Sequence, residues 1–297
     1  MSTPFRGSMV ALVTPFKATH DIDWHALAKL VQMQLDGGTQ GIIACGTTAE
    51  AATMSAEEQG RVIAFIKERC QGSIPVVAGT GSSNTRVAIE LSQQAKEIGV
   101  DGLLVVTPPY NKPTQDGLVC YYETISKEVS IPIILYNVPG RTQCHMLPQT
   151  VERLADNPNI VAIKEATADM NIGSEIVERC GDRVALLSGD DFTAFPLMAI
   201  GGQGWISVTA NIVPADMRAM FDAWEAGDTA AARSLHYKTL PLHRSMFTQS
   251  NPIPCKKALH LMGCCEPHMR SPLLDMTDSA AITALRQSLS DYGMNLS

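Results

Sequence analysis

A lone lysine, Lys164, directly follows the apolar run Ile160–Ile163, and this is the position in the sequence that most strongly suggests covalent chemistry. Such a run is expected to be a buried strand, where a lysine is rarely placed without a partner. Desolvation favours the neutral amine of a lysine, which is the form that attacks a carbonyl carbon. The position therefore predicts either a nucleophilic amine or a structural lysine that snorkels to solvent or pairs with Glu165.

Further polar groups follow other apolar runs. Tyr136 ends the run before Lys164, and its phenol could pass a proton while a carbonyl adduct collapses. Thr47 and Thr48 lie in a glycine-flanked loop whose hydroxyls and backbone N–H groups suit a small carboxylate. Arg141 follows Pro139-Gly140 on a predicted loop, and its guanidinium is suited to bidentate capture of another carboxylate. Each residue alone would be assigned a structural role, as a core tyrosine, a plain turn or a surface arginine, but together with Lys164 they favour carbonyl chemistry on carboxylate substrates.

These groups stand at the ends of a repeated unit: a short apolar run, a loop rich in Gly, Pro and Thr, and an amphipathic segment. The runs do not alternate in polarity, which is typical of parallel strands covered on both faces. The predicted strands are Met9–Val13, Gly41–Cys45, Pro75–Ala78, Gly102–Val106, Pro132–Tyr136, Ile160–Ile163, Val184–Leu187 and Trp205–Val208. The predicted helices between them include Trp24–Leu35, Ser55–Cys70, Asn84–Ile98 and Asp116–Val129. Ser55 and Glu58 have capping-box spacing, and Gly99 is placed as a C-cap.

Eight such units without a linker predict an α/β fold, a closed (β/α)8 TIM barrel over residues 1–227. An open doubly wound sheet is the alternative, but its first strand normally leads into a glycine-rich phosphate turn, and here Thr14-Pro15-Phe16 follows. Residues 228–297 are predicted as a C-terminal helical extension with helices Thr229–Met246, Ile253–Met262 and Ser279–Tyr292. In such a barrel the carboxyl ends of all strands share one face, so the polar groups should converge there.

Composition narrows the class of protein further. The 297 residues have a net charge of −7 and no basic cluster, which argues against nucleic-acid binding. No stretch approaches the roughly 20 consecutive apolar residues of a membrane span, and residues 1–6 do not resemble a signal peptide. The eight cysteines show no CxxC pair, so reduced thiols and a cytoplasmic location are expected.

The sequence predicts neither a metal nor an organic cofactor. The seven histidines lack HxH or HExxH spacing. An acidic metal site could be assembled on paper from Glu50, Glu165, Asp190 and Asp191, but solvated or structural roles are expected for most of them. A lysine imine would itself provide the electron sink that the chemistry needs.

From Gly7 to the C-terminus the chain resembles the dihydrodipicolinate synthase family of Schiff-base-forming class I aldolases, in the N-acetylneuraminate lyase superfamily. Its motifs stand in the family's order at the family's spacing. They are Gly46-Thr47-Thr48-Ala49-Glu50, Tyr136-Asn137-Val138-Pro139-Gly140-Arg141-Thr142, Ile163-Lys164-Glu165-Ala166, Ser188-Gly189-Asp190-Asp191, Ile206-Ser207-Val208-Thr209-Ala210-Asn211 and Asn251-Pro252-Ile253-Pro254.

The resemblance implies a lyase that condenses pyruvate with aspartate-4-semialdehyde in diaminopimelate and lysine biosynthesis, as a homotetramer made of two tight dimers. It also implies a role for each matching site residue. Lys164 would form the imine, and Tyr136, Thr47 and, from a neighbouring subunit, Tyr110 would form a proton relay. Thr48 would bind the carboxylate of pyruvate, and Arg141 would bind the carboxylate of the aldehyde. Gly189 and Ile206 would contribute backbone carbonyls near the lysine.

The chain departs from the family pattern at Ala49, where Gly is usual, at Ala51, where Ser is common, and at Pro109, where many members have Tyr. A glycine with positive φ at the first position would make Ala49 strained by roughly 1 kcal/mol. In family members that lysine inhibits, a cleft at the dimer interface uses His, Asn, Glu and Tyr. The corresponding positions here are Gln59, Ser83, Val87 and Pro109, which predicts insensitivity to lysine.

Two other functions stay open. A sister lyase, such as N-acetylneuraminate lyase or a 2-keto-3-deoxy-sugar-acid aldolase, would share the lysine and the pyruvate loop. The resemblance implies that those relatives lack the Gly-Arg-Thr after the strand-five tyrosine, so Arg141 argues against them. A non-catalytic barrel that only binds pyruvate is the alternative from another class, and intact Lys164, Tyr136 and Thr47 argue against it.

Overall fold

The computed structural model describes residues 5–296, so residues 1–4, which begin the segment considered as a signal peptide, and Ser297 lie outside the described part. Eight parallel strands close into a barrel in chain order, with the last strand paired to the first. They are β1 Gly7–Ala11, β2 Ile42–Ala44, β3 Val76–Gly79, β4 Gly102–Val106, β5 Ile133–Asn137, β6 Ile160–Glu165, β7 Ala185–Ser188 and β8 Gly204–Ser207. The predicted (β/α)8 barrel is confirmed.

Helices connect the strands and cover the outside of the barrel. They are α1 Trp24–Asp36, α2 Ala56–Cys70, α3 Thr85–Ile98, α4 Gln115–Val129, α5 Pro139–Thr142, α6 Pro148–Leu154, α7 Met170–Cys180, α8 Ala194–Ala199, α9 Pro214–Glu225, α10 Thr229–Met246, α11 Ile253–Leu261 and α12 Ser279–Tyr292. Ser55 and Glu58 form the predicted capping box at the start of α2, and Gly99 ends α3 in the left-handed conformation. Local start and stop signals therefore placed these helix ends correctly.

Most strand ends differ from the prediction by one or two residues, and three differences bear on the candidate site. Strand β1 ends at Ala11 rather than Val13, because the N–H of Val13 bonds to the Asn211 side chain instead of a neighbouring strand. Strand β6 continues through Lys164 to Glu165, so the lysine lies inside the sheet and not after it. The segment around Arg141, expected as a loop, forms the short helix α5.

Strand alternation divides the core into two layers. On β5, Ile134 and Tyr136 face the barrel interior, whereas Ile133 and Leu135 face the surrounding helices. Every residue of β1 and β5 is buried, as strands covered on both faces require. A side chain that points inward near the carboxyl end of a strand therefore has the apolar barrel interior on one side and the open mouth of the barrel on the other.

The seam between β1 and β8 requires glycine. Gly204 has φ 141° and pairs with Gly7, and a Cβ on Gly204 would lie 2.3 Å from the carbonyl oxygen of Gly7. A side chain there would separate the two strands, so closure of the barrel depends on this position.

After the eighth unit, the chain forms the helices α10, α11 and α12, and α10 packs against α9. The division between a barrel of residues 1–227 and an extension of residues 228–297 stays a prediction. None of the helices in the described range 5–296 has the length and apolar character needed to cross a membrane.

Candidate active site

Lys164 lies in β6 opposite Tyr136 of β5 and Leu187 of β7. Its neighbour Ile163 faces the helices, so alternation directs the Lys164 side chain into the barrel, where it is 5% exposed. The ammonium nitrogen is 4.3 Å from the centroid of the Tyr136 ring. The structure thus brings together the amine and the phenol that the sequence singled out.

The structural alternative for this lysine, an ion pair with Glu165, does not occur. The Glu165 side chain accepts hydrogen bonds from Asn137 (2.8 Å) and from the backbone N–H of Thr167 (2.6 Å), on the other face of the strand. Burial raises the pKa of the Glu165 carboxyl. Within residues 5–296, Lys164 has no carboxylate partner, so its amine is free to meet a ligand.

Gly189, at the end of β7, leaves room for the lysine. A Cβ at this position would lie 2.9 Å from both Cγ and Cε of Lys164 and 2.7 Å from Cβ of Ala166. Real Cβ atoms do not tolerate such contacts, so any side chain here would displace the amine. The predicted contribution of the Gly189 carbonyl stays a prediction, but proximity to the lysine is confirmed.

The loop after β2 forms a 3₁₀ turn, Thr47–Ala49, in which the N–H of Ala49 bonds to the carbonyl of Gly46. Cys45 (φ 54°) and Glu50 (φ 59°), on either side of the turn, have positive φ, whereas Ala49 lies in the turn, has no positive φ and is buried. The strain that a left-handed backbone would cause at Ala49 therefore does not arise. The conformation that the turn does need is held at Glu50 by hydrogen bonds.

Asn251, near the start of α11, touches two of the predicted site residues. Its side-chain amide donates to the Thr48 hydroxyl (2.9 Å), and its backbone carbonyl accepts a hydrogen bond from the Arg141 guanidinium (3.0 Å). Asn251 lies in a motif that the sequence placed in the family pattern, but no role was predicted for it. The contact joins residues 203 positions apart, which no local sequence signal could reveal.

One cavity of about 130 Å³ contains most of these groups. This is smaller than the roughly 300–1,000 Å³ of pockets for drug-sized ligands and suits an organic acid of a few carbon atoms. Its lining includes the predicted residues Thr47, Thr48, Tyr136, Arg141, Lys164 and Gly189, and also Asp190, Phe247 and Asn251, which were not predicted.

Two predicted residues lie elsewhere. Ile206 belongs to β8 and packs in the barrel interior, while Val208 from the same strand end lines the cavity. Tyr110 is 92% exposed with φ 76° and does not line the cavity. Its predicted role requires a second subunit and stays a prediction.

Of the two acidic residues after β7, Asp190 lines the cavity and Asp191 holds the scaffold. Asp191 accepts hydrogen bonds from the N–H groups of Val208 and Thr209, which fixes the loop after β8. Burial, and secondarily the neighbouring Asp191, raises the pKa of Asp190. Residues 5–296 contain no group of His, Cys, Asp and Glu side chains that could hold a metal ion.

The barrel and its cavity define a class of protein: (β/α)8 enzymes whose nucleophile is a buried lysine amine at the mouth of the barrel. The family model described as the dihydrodipicolinate synthetase family matches residues 4–290 of the chain. The chain belongs to this family.

Individual relatives agree with this assignment. A 4-hydroxy-tetrahydrodipicolinate synthase from Thermodesulfovibrio yellowstonii is 52% identical over 93% of this chain and 94% of its own length. The crystal structure of a dihydrodipicolinate synthase from Acinetobacter baumannii complexed with pyruvate is 45% identical, with a TM-score of 0.96 over 98% of this chain and 99% of that one. The lysine-bound enzyme from Cyanidioschyzon merolae is 35% identical, with a TM-score of 0.95 over 99% of this chain and 100% of that one.

Proposed function

We propose that this chain condenses pyruvate with L-aspartate-4-semialdehyde to give 4-hydroxy-tetrahydrodipicolinate and one water, through an imine on Lys164. The observation that carries the proposal is the buried Lys164 amine, which has no carboxylate partner among residues 5–296 and lies 4.3 Å from the centroid of the Tyr136 ring, in a cavity with hydroxyls and a guanidinium. Names of relatives at about 50% identity over nearly the whole chain support the same activity.

In the first half of the reaction, the Lys164 amine attacks the keto carbon of pyruvate, and the carbinolamine loses water to form an imine. Tyr136, opposite Lys164 in the sheet, donates the proton that lets hydroxide leave. Thr48 and the N–H groups of Thr47 and Thr48 hold the pyruvate carboxylate, and the Thr47 hydroxyl takes part in the proton relay. The protonated imine makes the pyruvate methyl group acidic.

In the second half, a base removes a proton from that methyl group and the enamine attacks the aldehyde carbon. Arg141 binds the carboxylate of the aldehyde substrate, with its guanidinium held by the Asn251 carbonyl. The amino group of the second substrate then displaces Lys164 from the imine carbon, which closes the ring and frees the enzyme. Each catalytic cycle therefore regenerates the amine without an added cofactor.

A coupled assay with pyruvate and aspartate-4-semialdehyde tests this function. Turnover that requires both substrates is the expected result, and Arg141 in the cavity is the feature that favours an acidic aldehyde. Release of pyruvate from N-acetylneuraminate or from 2-keto-3-deoxy-sugar acids, without condensation, would assign the chain to a sister lyase. Pyruvate binding without turnover would indicate a non-catalytic barrel.

The active unit of this proposal is a dimer within a homotetramer, acting in the cytoplasm. The exposed Tyr110 supports it, because a 92% exposed tyrosine at the barrel mouth is available to reach the cavity of a second subunit. We expect the Tyr110→Phe and Lys164→Ala variants to be poorly active alone and to regain activity when co-expressed, since one mixed site then has both groups. A co-expressed mixture no more active than the Tyr110→Phe variant would contradict the shared site.

The same proposal includes insensitivity to L-lysine. The Gln59 amide is used on the carbonyls of Ala51 and Met54, and neither Val87 nor Pro109 offers a charge for the ligand's ammonium. Burying a charged ligand without a counter-charge costs about a hundredfold or more in affinity. We expect full activity at about 1 mM lysine, a concentration that would saturate an ordinary metabolite site.

The coupling enzyme is assayed with lysine as the control. A Val87→Glu variant supplies the missing carboxylate and is expected to be more sensitive than the wild type. Half-inhibition of the wild type below about 1 mM would show that other side chains complete the cleft.

A further inference from the structure

A buried ion pair joins the loop after β2 to the C-terminal helices. The Glu50 carboxylate contacts the Lys256 ammonium at 2.5 Å, and both side chains are fully buried. The second Glu50 oxygen accepts the backbone N–H of Arg270 (3.0 Å), and Lys256 also donates to the carbonyl of His268 (2.9 Å). Two separate segments near the end of the chain, one at Lys256 and one at Arg270, therefore hold the Glu50 carboxylate in place.

Stability alone does not account for this pair. Burial lowers the pKa of Lys256 even though the Glu50 carboxylate adjoins it, so desolvation outweighs the attraction. Well-packed apolar residues of similar volume commonly stabilise a fold as well as a buried ion pair does. The pair supplies a fixed geometry, because Glu50 and Lys256 each make a further directional hydrogen bond, to the Arg270 N–H and to the His268 carbonyl.

That geometry is needed next to the cavity. Glu50 follows the 3₁₀ turn Thr47–Ala49 directly and has a left-handed backbone (φ 59°), which a non-glycine residue keeps only where its surroundings hold it. Asn251, just before α11, donates a hydrogen bond to the hydroxyl of Thr48, the central residue of the same turn. The α11 region thus contacts the turn at its centre, through Asn251, and at the residue that ends it, through Lys256 and Glu50.

We propose that the Glu50–Lys256 pair is a positioning device, which holds Thr47 and Thr48 in register with Lys164 so that pyruvate is bound in the orientation for imine formation. This inference rests on the proposed function, because it assigns the turn to pyruvate. Neither Glu50 nor Lys256 lines the cavity, so both act through the turn. The α11 region then contributes to substrate binding, in addition to packing against the barrel.

The test replaces the pair by an apolar one, Glu50→Leu with Lys256→Met, and measures imine formation by cyanoborohydride trapping over a range of pyruvate concentrations. We expect the half-saturating pyruvate concentration to rise roughly ten- to a hundredfold, the penalty for displacing a reacting group by about 1 Å. The KM for the aldehyde in the full reaction should change much less. A merely structural pair would change thermal stability and leave both substrate dependences alone.

The matched control is the next ion pair along α11, between Lys257 and Asp275 at 2.6 Å, which does not contact the turn. A Lys257→Met, Asp275→Asn variant is expected to trap pyruvate like the wild type. A folded Glu50→Leu, Lys256→Met protein with wild-type pyruvate dependence would overturn the inference, and so would an equal shift in the control.

If the double variant does not fold, the isosteric Glu50→Gln variant decides the question. It keeps the volume and removes the charge, and it should weaken pyruvate trapping in the same direction. Normal trapping by a folded Glu50→Gln protein also overturns the inference. Absence of trapping in the wild type would contradict the proposed function instead, so the two failures are distinguishable.

Discussion

Replacing Lys164 by alanine should abolish imine formation and lower the condensation rate by about a thousandfold or more, because the nucleophile that forms the covalent intermediate is lost. The amine is buried and inward-facing, and no second lysine is among the described residues that line the cavity. Initial rates in the coupled assay, together with intact mass after borohydride reduction, measure both effects.

Two variants control this experiment. Lys164→Met keeps the apolar stem of the side chain without its amine, and it should be folded and equally inactive. Lys112→Ala removes an exposed lysine from the loop after β4 and should behave like the wild type. Substantial turnover by a folded Lys164→Ala protein would mean that the reaction does not pass through this amine.

The Arg141→Ala variant should raise the KM for aspartate-4-semialdehyde by about ten- to a hundredfold and change the KM for pyruvate much less. A charge-assisted hydrogen bond to a carboxylate contributes roughly 1.5–3 kcal/mol, which corresponds to this range. Arg141 lines the cavity, and its guanidinium is oriented by the Asn251 carbonyl at 3.0 Å. Steady-state kinetics with each substrate varied in turn measures the two KM values.

The Arg141→Lys variant separates charge from geometry. It keeps the positive charge but loses the planar fork, so we expect it to recover only part of the aldehyde affinity. Equal increases in both KM values for Arg141→Ala would show that Arg141 maintains α5 and the cavity wall, and the assignment of the acidic aldehyde would lose its main support.

The barrel could be predicted from sequence because each of its strands is buried on both faces. Such strands appear as uninterrupted apolar runs, and the helix ends carry their own signals, as at Ser55 and Gly99. The predicted end of β1 was wrong for a physical reason. Apolar character reports burial, whereas a strand ends where its N–H and carbonyl groups find other partners, as the N–H of Val13 does with Asn211.

The centre of the site could also be predicted, since Lys164 and Tyr136 stand at the ends of neighbouring apolar runs, and parallel strands bring such positions side by side. The parts that the sequence did not reveal depend on contacts between distant segments. Asn251 reaches Thr48 across 203 positions, and Lys256 reaches Glu50 across 206. Strain at Ala49 was expected only if that position had a positive φ, and only the folded chain shows that Glu50 takes the left-handed conformation instead.

Borohydride reduction in the presence of pyruvate tests the central claim most directly. We expect each chain to gain the mass of one pyruvate minus one water plus two hydrogens, because the imine forms with loss of water before it is reduced. Peptide mapping should place the adduct on the peptide that contains Lys164. Reduction without pyruvate should leave the mass unchanged. No adduct, or an adduct on Lys112 or Lys256, would contradict the assignment of Lys164 as the imine-forming residue.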